Sequence, residues 1–292
     1  MLLEAAPGLR DLLDDADQAP LHVAARAGAV GCVAALLAAG APVTAPAGAQ
    51  TASPLHGAAT GGHTAVLAQL LTAPSVKVNA RDAFARTPLH AAAAAGHLDA
   101  MRMLLNADAD VSARNAWGAT PLHAAVKAGH GGAVTALLAA DAEAAAADNY
   151  GRTPLHLAAE RGDAAAVRAL LDAGGTVDAA GKQRGETPLR VAAELEQIAT
   201  VQLLVRAGAS LKGLEAALPE LSAPVAAALR ACVRETAVAT AGSLMAFGRA
   251  TNGAAALGGG LGVDLHHRLL CAVFGVEERF LRILLNTAAG GC

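Results

Sequence analysis

The chain has 292 residues, a formal net charge of −3 at pH 7, 54% hydrophobic residues and only 2% aromatic ones. The negative balance argues against a general affinity for nucleic acid or for an anionic membrane. Much of the apolar share is alanine, which favours helix and buries little area, so closely packed thin helices filled mainly by leucine are expected.

In chain order, the opening MLLEAAPGLRDLLDDAD carries Glu4 and Asp11 and no basic flank before an apolar run. It does not read as a secretory signal, and residues 1–15 are expected to form an N-terminal capping helix. A short motif then recurs: APLH at Ala19, SPLH at Ser53, TPLH at Thr87, Thr120 and Thr153, and TPLR at Thr187. Its prolines, Pro20, Pro54, Pro88, Pro121, Pro154 and Pro188, are spaced by 34, 34, 33, 33 and 34 residues. A fixed period of this size signals a solenoid. Length alone suggests about two domains, but stacked repeats share one continuous core and override that expectation.

The copy from Asp148 to Val177 shows the physical unit. DNYG is turn chemistry, with an Asp and an Asn that bond their own backbone and a Gly that tolerates positive φ. Thr153 stands where a helix N-cap belongs, and Pro154 at the first helical position, where its missing N–H costs nothing. LHLAAERG gives about two turns of helix, ended by Gly162. Asp163 caps a second helix whose Val167, Leu170 and Leu171 share a face. Neither helix is long enough to be stable alone. Matching apolar faces recur as Val33, Leu36, Leu37; Leu67, Leu70, Leu71; Met101, Leu104, Leu105; Val134, Leu137, Leu138; and Val201, Leu204, Val205.

The pattern G-x-TPLHxAAxxGH at this step resembles the ankyrin repeat family over roughly residues 16 to 213. The resemblance implies an all-α fold, a curved solenoid of stacked helix pairs with β-hairpin-like fingers along one edge, and a role in binding other proteins. Six repeats are expected at about 16–48, 50–82, 84–116, 117–149, 150–182 and 184–213. The copies differ. Gly40, Gly174 and Gly208 close second helices, but Pro74, Asp108 and Asp141 replace that glycine in the middle copies, where altered turns are expected. The sixth copy has Arg190 for His, and Glu196 where the fifth has Gly162.

Ten histidines invite a metal reading. Five are motif residues, His22, His56, His90, His123 and His156; His63, His97 and His130 follow the inter-helix glycine. Stacked helices lie about 8–10 Å apart, whereas zinc ligands stand about 2 Å from the ion, so equivalent histidines cannot share one. The motif histidine is expected to hydrogen-bond backbone and cap its turn, and the adjacent His266 and His267 have no third ligand nearby. No metal and no cofactor are expected. Catalytic motifs fail as well. Gly181-Lys182 is followed by Gln183 where a phosphate-binding loop needs Ser or Thr, and the GGGLG run at Gly258 lacks a flanking strand. The chain reads as a non-enzyme. Cys32, Cys232, Cys271 and Cys292 form no C-x-x-C pair, which suits a reducing compartment. No segment reads as membrane-spanning. An intracellular protein, cytoplasmic or nuclear, is expected, and a monomer.

Three of the six aromatics, Phe84, Trp117 and Tyr150, stand 33 residues apart at one equivalent position, three before the motif Thr or its counterpart. That position is a finger tip. Arg81, Arg86, Arg114, Arg152, Lys182 and Arg184 cluster with them. Exposed aromatics with Arg neighbours are the composition of binding hot spots; equally, the rings pack on neighbouring fingers and stiffen them. On the inner-helix face, Lys127 and Glu160 add charge to a surface that is otherwise nearly bare alanine and glycine. The expected partner-binding set is Phe84, Arg86, Arg114, Trp117, Lys127, Tyr150, Arg152, Glu160 and Arg184, and the expected partner is another protein.

After Lys212 the period is lost. Residues 214–292 read as a C-terminal helical region, with Pro219 and Pro224 as breaks, a glycine-rich joint at 252–262, and an amphipathic stretch from Leu265 to Leu285. These helices are expected to cover the open end of the stack. The competing reading is a docking element, which makes the chain a regulatory or targeting subunit such as a ubiquitin-ligase substrate adaptor.

Overall fold

The computed structural model describes residues 18–44, 52–182, 185–214 and 221–235. The capping helix expected at 1–15, the joint at 252–262, the amphipathic stretch beyond it, and Arg184, His266 and His267 lie outside the described residues. The chain divides into two compact units, Met1–Pro154 and Leu155–Cys292.

In the first unit, helix pairs follow one another: α1 (Pro20–Arg26) and α2 (Val30–Ala38), α3 (Pro54–Thr60) and α4 (Thr64–Leu71), α5 (Pro88–Ala95) and α6 (Leu98–Asn106), α7 (Pro121–Ala128) and α8 (Gly131–Ala139). The leading helices α1, α3, α5 and α7 pack on one another in sequence, and so do the following helices α2, α4, α6 and α8. The second unit repeats the pairing with α9 (Pro154–Arg161), α10 (Ala164–Asp172), α11 (Pro188–Glu194) and α12 (Ile198–Arg206). A 3-10 turn, Leu211–Leu214, and a helix over residues 223–235 follow. The described residues are helical with no strand, an all-α repeat solenoid.

The reason for the stacking lies in residue size. The motif leucines Leu21, Leu55, Leu89 and Leu122, and Leu155 and Leu189 in the second unit, are at most 1% exposed. Burying one such side chain contributes about 2 kcal/mol. Small residues beside them, Ala58 and Ala59, then Ala92 and Ala93, are fully buried and let leading helices approach closely. On the following helices the first two apolar positions are buried, as in Leu67 and Leu70 or Met101 and Leu104. The third position differs from expectation. Leu37, Leu71, Leu105, Leu138 and Leu171 are only half-buried, since each follows the buried second position by one residue and so lies about 100° further round the helix; Val205 alone is buried there.

Thr87 and Thr120 hold the extended backbone of an N-cap, followed by Pro88 and Pro121 at the first helical position. The turns after the following helices correct one expectation. Asp108 and Asp141 take φ of 61° and 60°, the left-handed conformation of Gly40, Gly174 and Gly208. The backbone bonds are equivalent too, with Ala109 N–H on Leu104 O and Ala142 N–H on Leu137 O, matching Ala41 N–H on Leu36 O. Aspartate tolerates this conformation through local hydrogen bonding, so the turn survives the loss of glycine. Only the second copy is altered, with Ser75 after Pro74 at φ 68°.

Pro224 begins a helix rather than breaking one, since it sits in the first turn of residues 223–235, where its ring is compatible with helix. That helix buries Val225, Leu229, Cys232 and Val233, and its Glu235 pairs with Arg206 of α12 at 3.0 Å.

Candidate functional site

The motif histidines are structural. The Nδ1 of His56 accepts from the Ser53 backbone N–H at 3.0 Å and lies 2.9 Å from the Ser53 hydroxyl, while Nε2 meets the Arg86 carbonyl at 2.8 Å. His90 does the same with Thr87 and the Ala119 carbonyl, and His123 with Thr120 and the Arg152 carbonyl. A ring nitrogen that accepts from a backbone N–H carries no proton, so the other nitrogen donates and the ring is neutral. Burial lowers the pKa of all three rings, against the opposing pull of the carbonyl bond, and takes that of His90 down to about 4. Each ring thus fastens its own helix start to the next finger. His63, His97 and His130 make a second set of stitches, from Nε2 to the carbonyls of Arg26, Thr60 and Ala94 in the preceding copy. Among the described residues no group of His, Cys, Asp and Glu is placed to hold a metal ion.

The fingers carry the expected binding residues. Each tip is built on one acidic or amide side chain. Asp82 Oδ1 accepts from the N–H groups of Phe84 and Arg86, Asn115 Oδ1 from Trp117 and Ala119, and Asp148 Oδ1 from Tyr150 and Arg152, all at 2.8–3.0 Å. Two backbone bonds close each loop: Asp82 N–H to Arg86 O with Ala85 N–H to Asp82 O, Asn115 N–H to Ala119 O with Gly118 N–H to Asn115 O, and Asp148 N–H to Arg152 O with Gly151 N–H to Asp148 O. Adjacent fingers join through Ala116 N–H on Phe84 O and Asn149 N–H on Trp117 O. Phe84, Trp117 and Tyr150 are held 48%, 44% and 42% exposed.

The rings do not stand alone. Phe84 and Trp117 stack with centroids 5.5 Å apart and planes inclined by 18°. The Arg86 guanidinium lies over Phe84 at 5.2 Å and that of Arg152 over Tyr150 at 5.4 Å. Arg86 and Arg152 are each fixed by an ion pair to the buried carboxylate of Asp82 (2.7 Å) or Asp148 (3.1 Å). Burial works against the Asp82 charge, but hydrogen bonds from Arg86 and Phe84 outweigh it and hold this carboxyl below its ordinary pKa.

Arg114 is a cross-finger staple. Its Nη1 donates to the carbonyls of Ala147 at 2.6 Å and Gly118 at 3.2 Å, and Arg81 donates likewise to the Arg114 carbonyl at 3.0 Å. Both remain exposed. Lys127 lies exposed at the end of α7, and Glu160 exposed on α9, each on a leading helix rather than a finger. Sequence reasoning brought Phe84, Arg86, Arg114, Trp117, Tyr150 and Arg152 to one edge of the first unit. The backbone-bonding Asp expected in DNYG is Asp148, and the same role at Asp82 and Asn115 was missed, although an Asp or Asn stands two residues before each aromatic.

A family model of ankyrin repeats in three copies matches residues 55–148 and 140–213, and a single ankyrin repeat matches 17–47. The chain belongs to the ankyrin repeat family. Ankyrin repeats are protein–protein interaction modules, and the matched residues contain every finger described above. A comparison with curated proteins found no match. Among the described residues, no helix of this ankyrin repeat protein is long and apolar enough to cross a membrane.

Proposed function

We propose that this ankyrin repeat protein recognises a partner protein through the finger edge of its first unit, with Trp117 at the centre of the contact. The observation that carries this reading is the repeated exposure of an aromatic ring at one position of three consecutive fingers, 42–48% in each case. A ring that served only to stiffen a loop has every reason to sink into it. These instead stand exposed on turns fixed by an Asp or Asn side chain, and large rigid side chains with arginine nearby are what tight interfaces select. Preorganisation supports the reading further, since stacking and Asx turns fix the rings before a partner arrives, lowering the ordering cost of binding. Lys127 extends the surface onto the leading helix α7. The function is binding, without catalysis.

The test is site-specific photo-crosslinking of the full chain, with benzoylphenylalanine in place of Trp117 and, separately, of Arg102. Arg102 is exposed on α6, on a following helix. A partner protein crosslinked from position 117 and not from 102 supports the reading. Crosslinking that favours 102 contradicts it.

A further inference from the structure

The finger edge has a charge pattern that its structural duties do not explain. At one position the three fingers read Asp82, Asn115, Asp148; four residues on they read Arg86, Ala119, Arg152. Where the arginine is absent, the carboxylate beneath is replaced by an amide. Asn115 makes the same pair of turn bonds as Asp82 and Asp148 without their charge. The first and third tips therefore each contain a neutral Arg–Asp pair, and the middle tip contains neither charge.

Two cations are left over. Arg81 and Arg114 sit at equivalent positions and donate to backbone carbonyls, which orient a guanidinium without neutralising it. The exposed carboxylates between these tips, Asp99, Asp108, Asp110, Asp141 and Glu143, belong to α6 or to the turns after the following helices and not to the tips. The tips thus offer donors and ring faces: the outward N–H groups of four guanidiniums, the indole N–H of Trp117, and the exposed sides of three rings. An uncompensated guanidinium with a fixed orientation fits a carboxylate.

We infer that the finger edge between Arg81 and Arg152 takes an acidic, extended segment of a partner protein, whose carboxylates meet Arg81 and Arg114 while an apolar side chain rests against Trp117. This rests on the finger-edge reading above and names the chemistry of what binds there. Single-stranded nucleic acid shares the anionic character but fits less well. Phe84 and Trp117 already stack on each other at 5.5 Å, leaving no gap for a base between them, and the chain as a whole carries −3.

The experiment pans a random 12-residue peptide display library on the full-length protein, then measures fluorescein-labelled selected peptides by anisotropy. Selected peptides are expected to be enriched in Asp and Glu over the input. Their affinity is expected to fall about tenfold for Arg81→Gln and for Arg114→Gln, as for loss of one charged hydrogen bond. Glutamine retains one donor for the carbonyl staple, and circular dichroism checks that each variant is folded. Binding by the unaltered protein is also expected to weaken as salt is raised from 0.05 to 0.5 M, through screening; this arm needs no variant. Neutral or basic peptides that still require Trp117 would overturn the acidic ligand while leaving the finger edge as a binding surface. Peptides indifferent to Trp117→Ala, or failure to select any peptide, would overturn both. Tighter Trp117-dependent binding of a labelled 12-nucleotide oligothymidylate would overturn the choice of protein over nucleic acid.

Discussion

His90 spans two repeats: its Nδ1 accepts from the Thr87 N–H at 3.2 Å, and its Nε2 hydrogen reaches the Ala119 carbonyl at 3.0 Å. Both nitrogens are occupied in the neutral ring, and a second proton has nowhere to go without breaking the cap.

This fixes the sign of the pH dependence. The folded pKa of His90 is depressed from 6.5 to about 4, and those of His56 and His123 are also lowered. The unfolded chain therefore binds protons more readily than the folded one. The stability tied to these rings is complete above about pH 6.5 and is lost as the pH falls towards 4, by about 3 kcal/mol for His90 alone at the lower end. Urea unfolding at pH 7.5, 6, 5 and 4.5 should show a falling midpoint, and His90→Gln should flatten that slope. A midpoint constant over this window would contradict the neutral-ring assignment.

Gly96 and His130 form a second kind of joint. Gly96 ends α5 at φ +74°, and a Cβ there would stand 2.6 Å from Nδ1 of the His130 ring. Gly174 has a similar φ of +82° with open space around it. Gly174→Ala should cost about 1 kcal/mol, from backbone strain alone. Gly96→Ala should cost more, about 2–4 kcal/mol, because the stitch from His130 to the Ala94 carbonyl must also shift. Chemical denaturation of the two variants compares them directly, and equal losses would show that the ring contact carries no energy.

Asp82 holds a finger from below, with bonds to Phe84 N–H, Arg86 N–H and the Arg86 guanidinium. Asp82→Ala should destabilise the protein by about 2–3 kcal/mol, since it strands two backbone donors and a guanidinium. Asp82→Asn should cost only about 1 kcal/mol, because Asn115 shows that an amide makes the same turn. Thermal unfolding of both variants checks this order.

The repeat architecture was readable because each unit restates it. The proline at the first helical position, the leucine after it and the turn residues before it recur six times, and each has a local cause. Cross-repeat roles were less readable. That Arg114 would donate to the Ala147 carbonyl leaves no mark in the sequence, because the acceptor is backbone and any residue supplies it. For the same reason the histidine stitches to Arg26, Thr60 and Ala94 carbonyls were invisible, although the recurrence of His63, His97 and His130 marked the positions. The half-burial of Leu105 and Leu138 depends on the helix beside them, which one repeat read alone does not contain. Asp108 and Asp141 keep the turn that was expected to change, because left-handed backbone favours glycine without requiring it.

The finger edge is the heart of the functional account, and Trp117→Ala separates its two roles most directly. The ring is 44% exposed and stacks on Phe84, so its loss should lower the melting temperature by no more than about 4 °C. Affinity for the protein crosslinked from position 117 should fall at least about tenfold, as for a central aromatic anchor. A large fall in melting temperature with unchanged affinity would contradict the account and make the aromatic row a packing device.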